Sequence, residues 1–359
     1  MEKHGEKPIN TKKEGFYDGT YYKHIAKSPQ RGSNVFIRQY NDIIDYIKTL
    51  LYIKKNVHQG DIVIIYEGGV LWHRLCANIV HSVGAKVVME LNELPYGTGS
   101  ETKTNIRKRK KMLNKVFPLY DGFLAISTAL EQLALQYNPK AKILKIPIIA
   151  EDYPEPPVYK EKEIYLFHSG SLSEQKDGIL GMIEAFGEAT QCISQPIKYY
   201  LTGNLEDSPH AKEIRQIIKQ YHIEDKIVFL GFLKEEELRK YQKNSYLTII
   251  NKYDTQQNKY CFSTKLAEYL AFKRPVIITN IGEANHYLKN NVNAFIVSPH
   301  NPHLIAEKII EAINNPEKAK KIGEEGYKLI EKDFNNKYQA KRMIKFFNDL
   351  YTNNSYENL

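Results

Sequence analysis

From Ile164 onward, short apolar runs of strand length alternate with stretches of helical period, and that alternation permits few folds. The runs are IYLFHS (164–169), IKYYLT (197–202), KIVFLG (226–231), YLTII (246–250), PVIIT (275–279) and AFIV (294–297). Helical patterns around IEAF and at 211–221, 235–243, 264–272 and 284–289 separate most of them. Uninterrupted apolar runs suit strands buried on both faces, and the helices between them act as crossovers. The expected class is therefore α/β with a parallel sheet, whose ligands bind at the carboxyl ends of the strands.

The earlier half repeats the theme less completely. DIVIIYE (61–67), KVVMEL (86–91), GFLAIS (122–127) and KILKIPI (142–148) read as strands, with NVFIRQY (34–40) as a further one. Helices are expected at 41–55, 70–83, 103–117 and 128–136. AEDYPEPPVYKEK (150–162), with three prolines, breaks both periods and reads as a linker. The chain closes with helices at 302–313, 316–331 and 336–351. This gives a first domain over 1–152, a second over 153–332 and a helical ending over 333–359. The cleft between the two sheets is the expected ligand site.

Composition narrows the classes. No apolar run approaches the roughly 20 residues needed to cross a bilayer. MEKHGEKPINTKKEG, at the start, has no apolar core, so no secretory signal is expected. Cys76, Cys192 and Cys261 are far apart and not in metal-ligand spacing, which suits a reducing cytosol and gives no zinc or disulfide framework. The net charge of +9 is concentrated in RKRKK, Arg107–Lys111. No helix-turn-helix, zinc or base-stacking motif accompanies the run, so no nucleic-acid partner is expected. A basic helix beside Met112, Leu113, Val116 and Phe117 fits an anionic membrane surface better, with a solvated charged face as the equal alternative. The expected location is cytoplasmic, with peripheral attachment to the inner face of the cell membrane.

YCFSTKLAEYLAFKRP (260–275) carries the sharpest chemistry. Ser263 and Thr264 stand where a helix begins and free N–H groups can meet an anion. Lys265 adds a cation, and Glu268 an acceptor-only carboxylate one turn on, suited to ribose or sugar hydroxyls. The plain alternative is a capped amphipathic helix. Three other strand-end loops converge on the same rim: GSLSEQKDGI with Gly170, Ser171 and Lys176; TGNLED with Gly203 and Asn204; and GFLKEEEL, where Phe232 and Leu233 can read a base edge. Each alone is ordinary turn chemistry. On the first domain, ELNELPYGTGS offers Asn92, Glu93 and Tyr96 to the cleft, with Gly97 and Gly99 in a loop, and Glu67 precedes Gly68–Gly69. Glu93 is placed to orient or deprotonate a hydroxyl. His168 reads as a core histidine, and His73 and His81 as helix-surface residues. HExxH, paired acidic and GxSxG motifs are absent, so neither a metal nor a serine nucleophile is expected.

The order GSLSEQKDGI, YYLTGN, KIVFLGFL, YCFSTKLAEYLAFKRPVIITNIGE and AFIVSPHNPHLIAEKIIEAI resembles glycosyltransferase family 4, the group 1 glycosyltransferases, most strongly over Ile164–Phe334. DIVIIYE, KVVMELNELPYG and DGFLAISTAL extend the resemblance into the first domain. It implies the GT-B fold, two Rossmann-like domains across a cleft, with the last helix crossing back to the first. It implies a retaining, metal-independent sugar transfer from a nucleotide sugar, UDP- or GDP-linked, to the hydroxyl of a glycan or lipid-linked acceptor, in envelope, capsule or exopolysaccharide synthesis. No cofactor beyond that co-substrate is implied.

The resemblance places Lys176 on the diphosphate, Glu268 on the ribose, the Ser263–Lys265 backbone near the phosphates and Phe232–Leu233 by the base. Three positions depart from the family. Ser171 stands for an arginine, with Lys265 as the compensating cation. Tyr260 stands for the sugar-binding glutamate, and Asn92 for a histidine. The family's opening strand and Gly-rich loop have no counterpart in residues 1–33, so the first domain is expected to be incomplete. The alternative is a catalytically weak or inactive nucleotide-sugar-binding protein of the same fold. An epimerase or a phosphorylase on the same architecture is a third reading.

Overall fold

The computed structural model describes residues 12–25, 35–97, 101–150 and 164–352. The expected boundary at 152/153 and Gly99 lie outside them.

The first half opens with a hairpin of β1 (Glu14–Tyr17) and β2 (Thr20–Lys23), followed by α1 (Val35–Asn56). Then come β3 (Ile62–Ile65), α2 (Val70–Ser82), β4 (Lys86–Leu91) and α3 (Lys103–Lys115). It ends with β5 (Gly122–Ala125), α4 (Thr128–Tyr137) and β6 (Lys142–Lys145). β3, β4, β5 and β6 pair in that order as a parallel sheet. All four strands lie within the expected runs.

NVFIRQY is not a strand: residues 35–40 begin α1. Phe36, Tyr40, Ile43, Ile47 and Leu51 recur every three or four residues, a helical period that the short window concealed. The β1–β2 hairpin was not expected at all. Asp18 and Gly19, both with positive φ, make its two-residue turn, as this hairpin type requires.

The second half runs β7 (Ile164–His168), the single turn α5 (Glu174–Asp177), α6 (Ile179–Cys192) and β8 (Ile197–Leu201). It continues α7 (Ala211–Tyr221), β9 (Ile227–Phe229), α8 (Glu235–Asn244) and β10 (Leu247–Ile250). Next are α9 (Gln256–Tyr260), α10 (Thr264–Ala271), β11 (Val276–Thr279) and β12 (Phe295–Val297). The last helices are α11 (Pro302–Asn314), α12 (Pro316–Glu331) and α13 (Asn336–Asp349). The sheet is parallel throughout, in the order β12-β11-β10-β7-β8-β9. Strand order reverses between β7 and β10, and in open α/β sheets that reversal opens the ligand crevice.

Each sheet is covered on both faces. In the second, Phe186, Ile214 and Ile309 pack on one side and Leu266, Leu270 and Ile330 on the other. In the first, Cys76, Val80, Leu113 and Leu130 cover one face. The other face, through Val88 and Leu124, is covered by Phe346 and Leu350 at the end of the chain. Gly122 is required there, because a Cβ would lie 2.8 Å from the Phe346 ring. The Tyr351 hydroxyl donates to the Asp61 carbonyl at 2.6 Å, so the last helix lies against the first sheet.

His73 is buried, not on a helix surface: its Nδ1 meets the Tyr120 hydroxyl at 2.6 Å inside the first core. A lone histidine on an amphipathic helix takes the buried side when a long-range hydroxyl satisfies it.

Candidate functional site

The two sheets point their strand ends into one cleft of about 1440 Å³. Its first-domain wall includes Tyr66, Glu90, Asn92, Glu93 and Ile126, and its second-domain wall Gly170, Lys176, Lys252, Tyr253 and Ser263–Lys265. The strand order puts the loop after β7 and the loop after β10 side by side at the switch point.

Asp177 is the hub. It ends α5, is 4% exposed, and receives Lys265 in a close ion pair. Lys252 Nζ stands 3.5 Å from the same oxygen, Asp177 Oδ1. The Ser171 N–H and hydroxyl both donate to Oδ2 at 3.1 Å. Lys252 also donates to the Lys176 carbonyl, which ties the loop after β10 to the loop after β7. Two lysines are thus fixed around one carboxylate, with exposed Lys176 beside them on the cleft wall. On the second-domain wall Lys176, Lys252 and Lys265 outnumber Glu174 and Asp177, whereas Glu90, Glu93 and Glu101 line the first-domain wall. Gly170 allows this packing: a Cβ there would collide with Lys265 Nζ and lie 2.7 Å from Asp177 Oδ2 and 2.8 Å from His168 Nε2.

The electrostatics follow from burial. Burial opposes ionisation of Asp177, yet His168, Lys265 and Lys252 together hold its carboxyl well below the usual carboxylate range. Burial pushes Lys265 down, and the attraction of Asp177 only partly offsets this. His168, wholly buried at the end of β7, is lowered by burial and then by Lys265; its Nδ1 meets the Ile249 carbonyl at 3.1 Å. The unfolded chain takes up the imidazole proton near pH 6.5, whereas the folded chain resists it. The stability tied to a neutral His168 is therefore present above that pH and lost as pH falls. Asp177, also depressed, adds a loss further into acid. We expect the melting temperature to fall between about pH 7 and pH 5, and His168→Gln to flatten that fall. A flat wild-type profile would refute the buried neutral histidine.

Of the residues singled out from sequence, Asn92, Glu93, Gly170, Ser171, Lys176, Ser263, Thr264 and Lys265 line the cleft together. Asn92 Nδ2 donates to Glu90 at 3.0 Å, and Glu93 is exposed. Gly203, Asn204, Phe232, Leu233, Tyr260 and Glu268 do not line it. Gly203 pairs its N–H with the Gly231 carbonyl at 2.8 Å, and Phe232 is fully on the surface. Glu268 is exposed on the next turn of α10 and accepts from Gln242 at 2.8 Å. Tyr260 packs toward the first core, and its carbonyl accepts from the Ser127 hydroxyl at 2.7 Å. Of the other first-domain candidates, Glu67 and Tyr96 are absent from the lining and Gly97 belongs to it, as does Tyr66, which sequence reading did not single out.

Sequence reading missed Asp177, Lys252 and Tyr253. Asp177 precedes Gly178 in the GSLSEQKDGI loop, and an Asp-Gly pair suits a turn. Lys252 and Tyr253 follow YLTII after Asn251, so the strand-end rule used for the other loops also marks them. The Tyr253 ring stacks on His300 at 4.5 Å, and its hydroxyl donates to Glu174. Cys261 lines the cleft, but burial pushes its thiol up to about 11, too high for a thiolate nucleophile at neutral pH. Among the described residues no group of three or more His, Cys, Asp or Glu side chains could hold a metal ion.

The basic run on α3 is only partly available. Arg109 is buried and pairs with Glu101, with NH1 to Oε1 at 2.8 Å. Met112, Leu113, Val116 and Phe117 face the first core instead of solvent, because that side of α3 packs on the sheet. Arg107, Lys108, Lys110 and Lys111 are exposed, as are Tyr40, Ile43, Ile47 and Leu51 of α1. Among the described residues no helix is long and apolar enough to cross a membrane.

A family model described as "Glycosyl transferases group 1" matches residues 150–329. Two uncharacterized glycosyltransferases of Methanocaldococcus jannaschii are similar in part. One is 31% identical over 83 residues, 23% of this chain and 22% of that protein. The other is 27% identical over 150 residues, 42% of this chain and 35% of that protein. The matches thus span about a fifth and a third of those relatives. Among solved structures, a glycosyltransferase from Rickettsia africae superposes with a TM-score of 0.67 at 20% identity, covering 90% of this chain and 85% of that one. Anabaena HepE in complex with UDP-glucose gives 0.66 at 17% identity, covering 88% and 85%. Sucrose-phosphate synthase from Thermosynechococcus elongatus gives 0.66 at 17% identity, covering 90% and 82%.

Proposed function

The chain belongs to the group 1 glycosyl transferases and has their GT-B fold, and on that premise we propose a retaining, metal-independent transfer of a sugar from a UDP- or GDP-linked donor to an acceptor hydroxyl. The observation that carries this reading is the lysine cluster around Asp177 at the β7/β10 switch point, facing Asn92 and Glu93 across the cleft. A nucleoside diphosphate is a ligand that such a cluster suits, because leaving-group charge grows as the glycosidic bond breaks. Lys265 and Lys252 are held rigidly by Asp177, so little reorganisation is needed at that moment. Lys176, on the exposed rim, is free to close over the phosphates. Glu268, one turn beyond, takes the ribose hydroxyls, with Phe232 and Leu233 nearest the base. Glu93 and Asn92 orient the acceptor hydroxyl from the first domain. HepE, of similar fold, was crystallised with UDP-glucose, which makes UDP-glucose the first donor to test.

The test is a thermal-shift panel of UDP-, GDP- and ADP-sugars, followed by turnover on any that bind. A true donor at 100 times its Kd adds about 2.7 kcal/mol of stability. If no nucleotide sugar shifts the melting temperature, the donor site is misassigned. Glu268→Ala should weaken the nucleotide about 10-fold or more through lost ribose contacts. An unchanged nucleotide Kd in that variant would remove Glu268 from the site.

One observation favours a second reading, a nucleotide-sugar-binding protein with little turnover. Tyr260 stands where the family carries a sugar-contacting glutamate, and it packs toward the first core. Stabilisation by a nucleotide sugar without hydrolysis or transfer would select that reading.

The acceptor we propose is a glycan or lipid-linked sugar of the cell envelope, reached from the inner membrane face. The support is the exposed lysine row of α3 with the exposed apolar row of α1 on the same side of the first sheet. Such a pairing of cations and aromatic or aliphatic side chains suits an anionic lipid surface. Co-sedimentation with phosphatidylglycerol vesicles should fall with added salt and with Lys110→Glu/Lys111→Glu. Equal binding to neutral vesicles would refute the charge attraction.

A further inference from the structure

At the floor of the cleft the two domains are joined through one buried carboxylate. Glu283 follows β11 in a short 3-10 turn, and its side chain is 1% exposed. Its Oε2 accepts the backbone N–H of Thr128 at 2.7 Å, and its Oε1 accepts the Thr128 hydroxyl at 3.1 Å. Lys145 Nζ, at the end of β6, donates to Glu283 Oε1 and to Thr128 Oγ1, both at 2.9 Å. Thr128 is the first residue of α4, so its N–H has no partner within the helix. A carboxylate of the second domain therefore caps a helix of the first, at the positive end of its dipole.

The same corner carries a second tie between the domains. Ser127, the N-cap of α4, donates its hydroxyl to the carbonyl of Tyr260, where α9 leads into the Ser263–Lys265 segment. Burial pushes Lys145 down, but Glu283, with Tyr287 and Glu131, more than restores it, so the ammonium stays charged through neutral pH. A buried carboxylate without partners is costly, and every partner named here except its own-turn neighbour His286, 3.8 Å away, comes from the other domain. Separating the domains hydrates Glu283, and joining them requires the whole set of bonds at once. Such a pair adds little net stability and instead fixes one relative position.

We propose that Glu283, Lys145 and Thr128 form an interdomain latch that sets the width of the cleft. Glu283 is a positioning residue: it touches neither phosphate nor acceptor, but holds the Tyr260–Lys265 segment at a fixed distance from Asn92 and Glu93. The proposal rests on the transfer reading only for its effect on turnover. Its effect on shape is independent of that reading.

Glu283→Gln keeps the volume and removes the charge; Lys145→Met removes the other half. Each should raise the radius of gyration measured by small-angle scattering on the full chain. Each should lower kcat/KM about 10- to 100-fold, since a small misplacement of reacting groups has that cost. Donor Kd should change less than about 2-fold, because the donor contacts sit on one domain. The double variant should be no worse than the worse single one, the signature of two groups acting as a unit. Unchanged scattering, or losses that multiply in the double variant, would overturn the latch. Should Glu283→Gln fail to fold, Thr128→Ala and Lys145→Met apply the same criteria. If wild type binds no nucleotide sugar, the transfer reading falls while the scattering result still decides the latch.

Discussion

Replacing Lys265 with methionine is expected to lower turnover about 10²- to 10³-fold, the usual cost of removing a preorganised group that meets developing negative charge. The effect has two sources. The ammonium beside Gly170 is lost, and Asp177, buried and ionised, is left with Lys252 at 3.5 Å as its nearest cation. The second-domain wall is then left with Lys176 and Lys252 against Glu174 and Asp177, so any attraction for a diphosphate should fall. Weakening the pairing of a buried charge also costs stability, less than the roughly 3–5 kcal/mol seen where such a charge loses every partner, because Lys252 and Ser171 remain. A second substitution separates the two sources. Lys265→Met/Asp177→Asn should recover most of the melting temperature, because the stranded carboxylate is gone, yet recover little turnover. If Lys265→Met keeps more than about a tenth of kcat, or if the double variant restores activity along with stability, Lys265 acts as a structural partner of Asp177 and not on the donor.

Truncating Phe346 to alanine, in the last helix, should strongly destabilise the first domain. The ring is 1% exposed, and with Leu350 it covers Val88 and Leu124, the face of the first sheet opposite α2, α3 and α4. Large-to-small changes of this kind cost about 3–5 kcal/mol, the higher values where the site cannot collapse. Gly122 adds no side chain to refill the space. The loss should appear as an early transition in urea, with the second domain and its nucleotide affinity kept. A shift of less than about 1 kcal/mol would mean that the last helix is a loosely held tail. This measurement tests whether the chain ends tie the domains together independently of any assay of transfer.

The second sheet was legible because its strands are continuous apolar runs and its helices have clean periods. LTII and VIIT are buried at every residue, as a central parallel strand demands. Residues 35–40 were misread for the opposite reason: so short a window holds fewer than two helical turns, and the pattern resolves only when Ile43, Ile47 and Leu51 are included. The cleft side of the site was half legible. Strand-end position identified Gly170, Lys176 and the Ser263–Lys265 segment, because parallel topology sends all strand ends to one rim. It did not reveal that Asp177 gathers two lysines, since an Asp-Gly pair looks like a turn until the cations arrive from residues 252 and 265. Nor did it mark Arg109 as turned inward, because a charge run carries no record of which member meets Glu101.

Local periodicity was enough to specify two parallel sheets, their crossover helices and the rim formed by their strand ends, because those follow from spacings of two and 3.6 residues along a continuous segment. Which groups meet on that rim depended on packing. Asp177 and Lys265 are 88 residues apart, and Lys145 and Glu283 are 138 apart. Burial makes such pairs matter, because a carboxylate removed from water needs partners. The lysine cluster around Asp177 and the interdomain carboxylate are products of tertiary packing, to which residue spacing along the chain is blind.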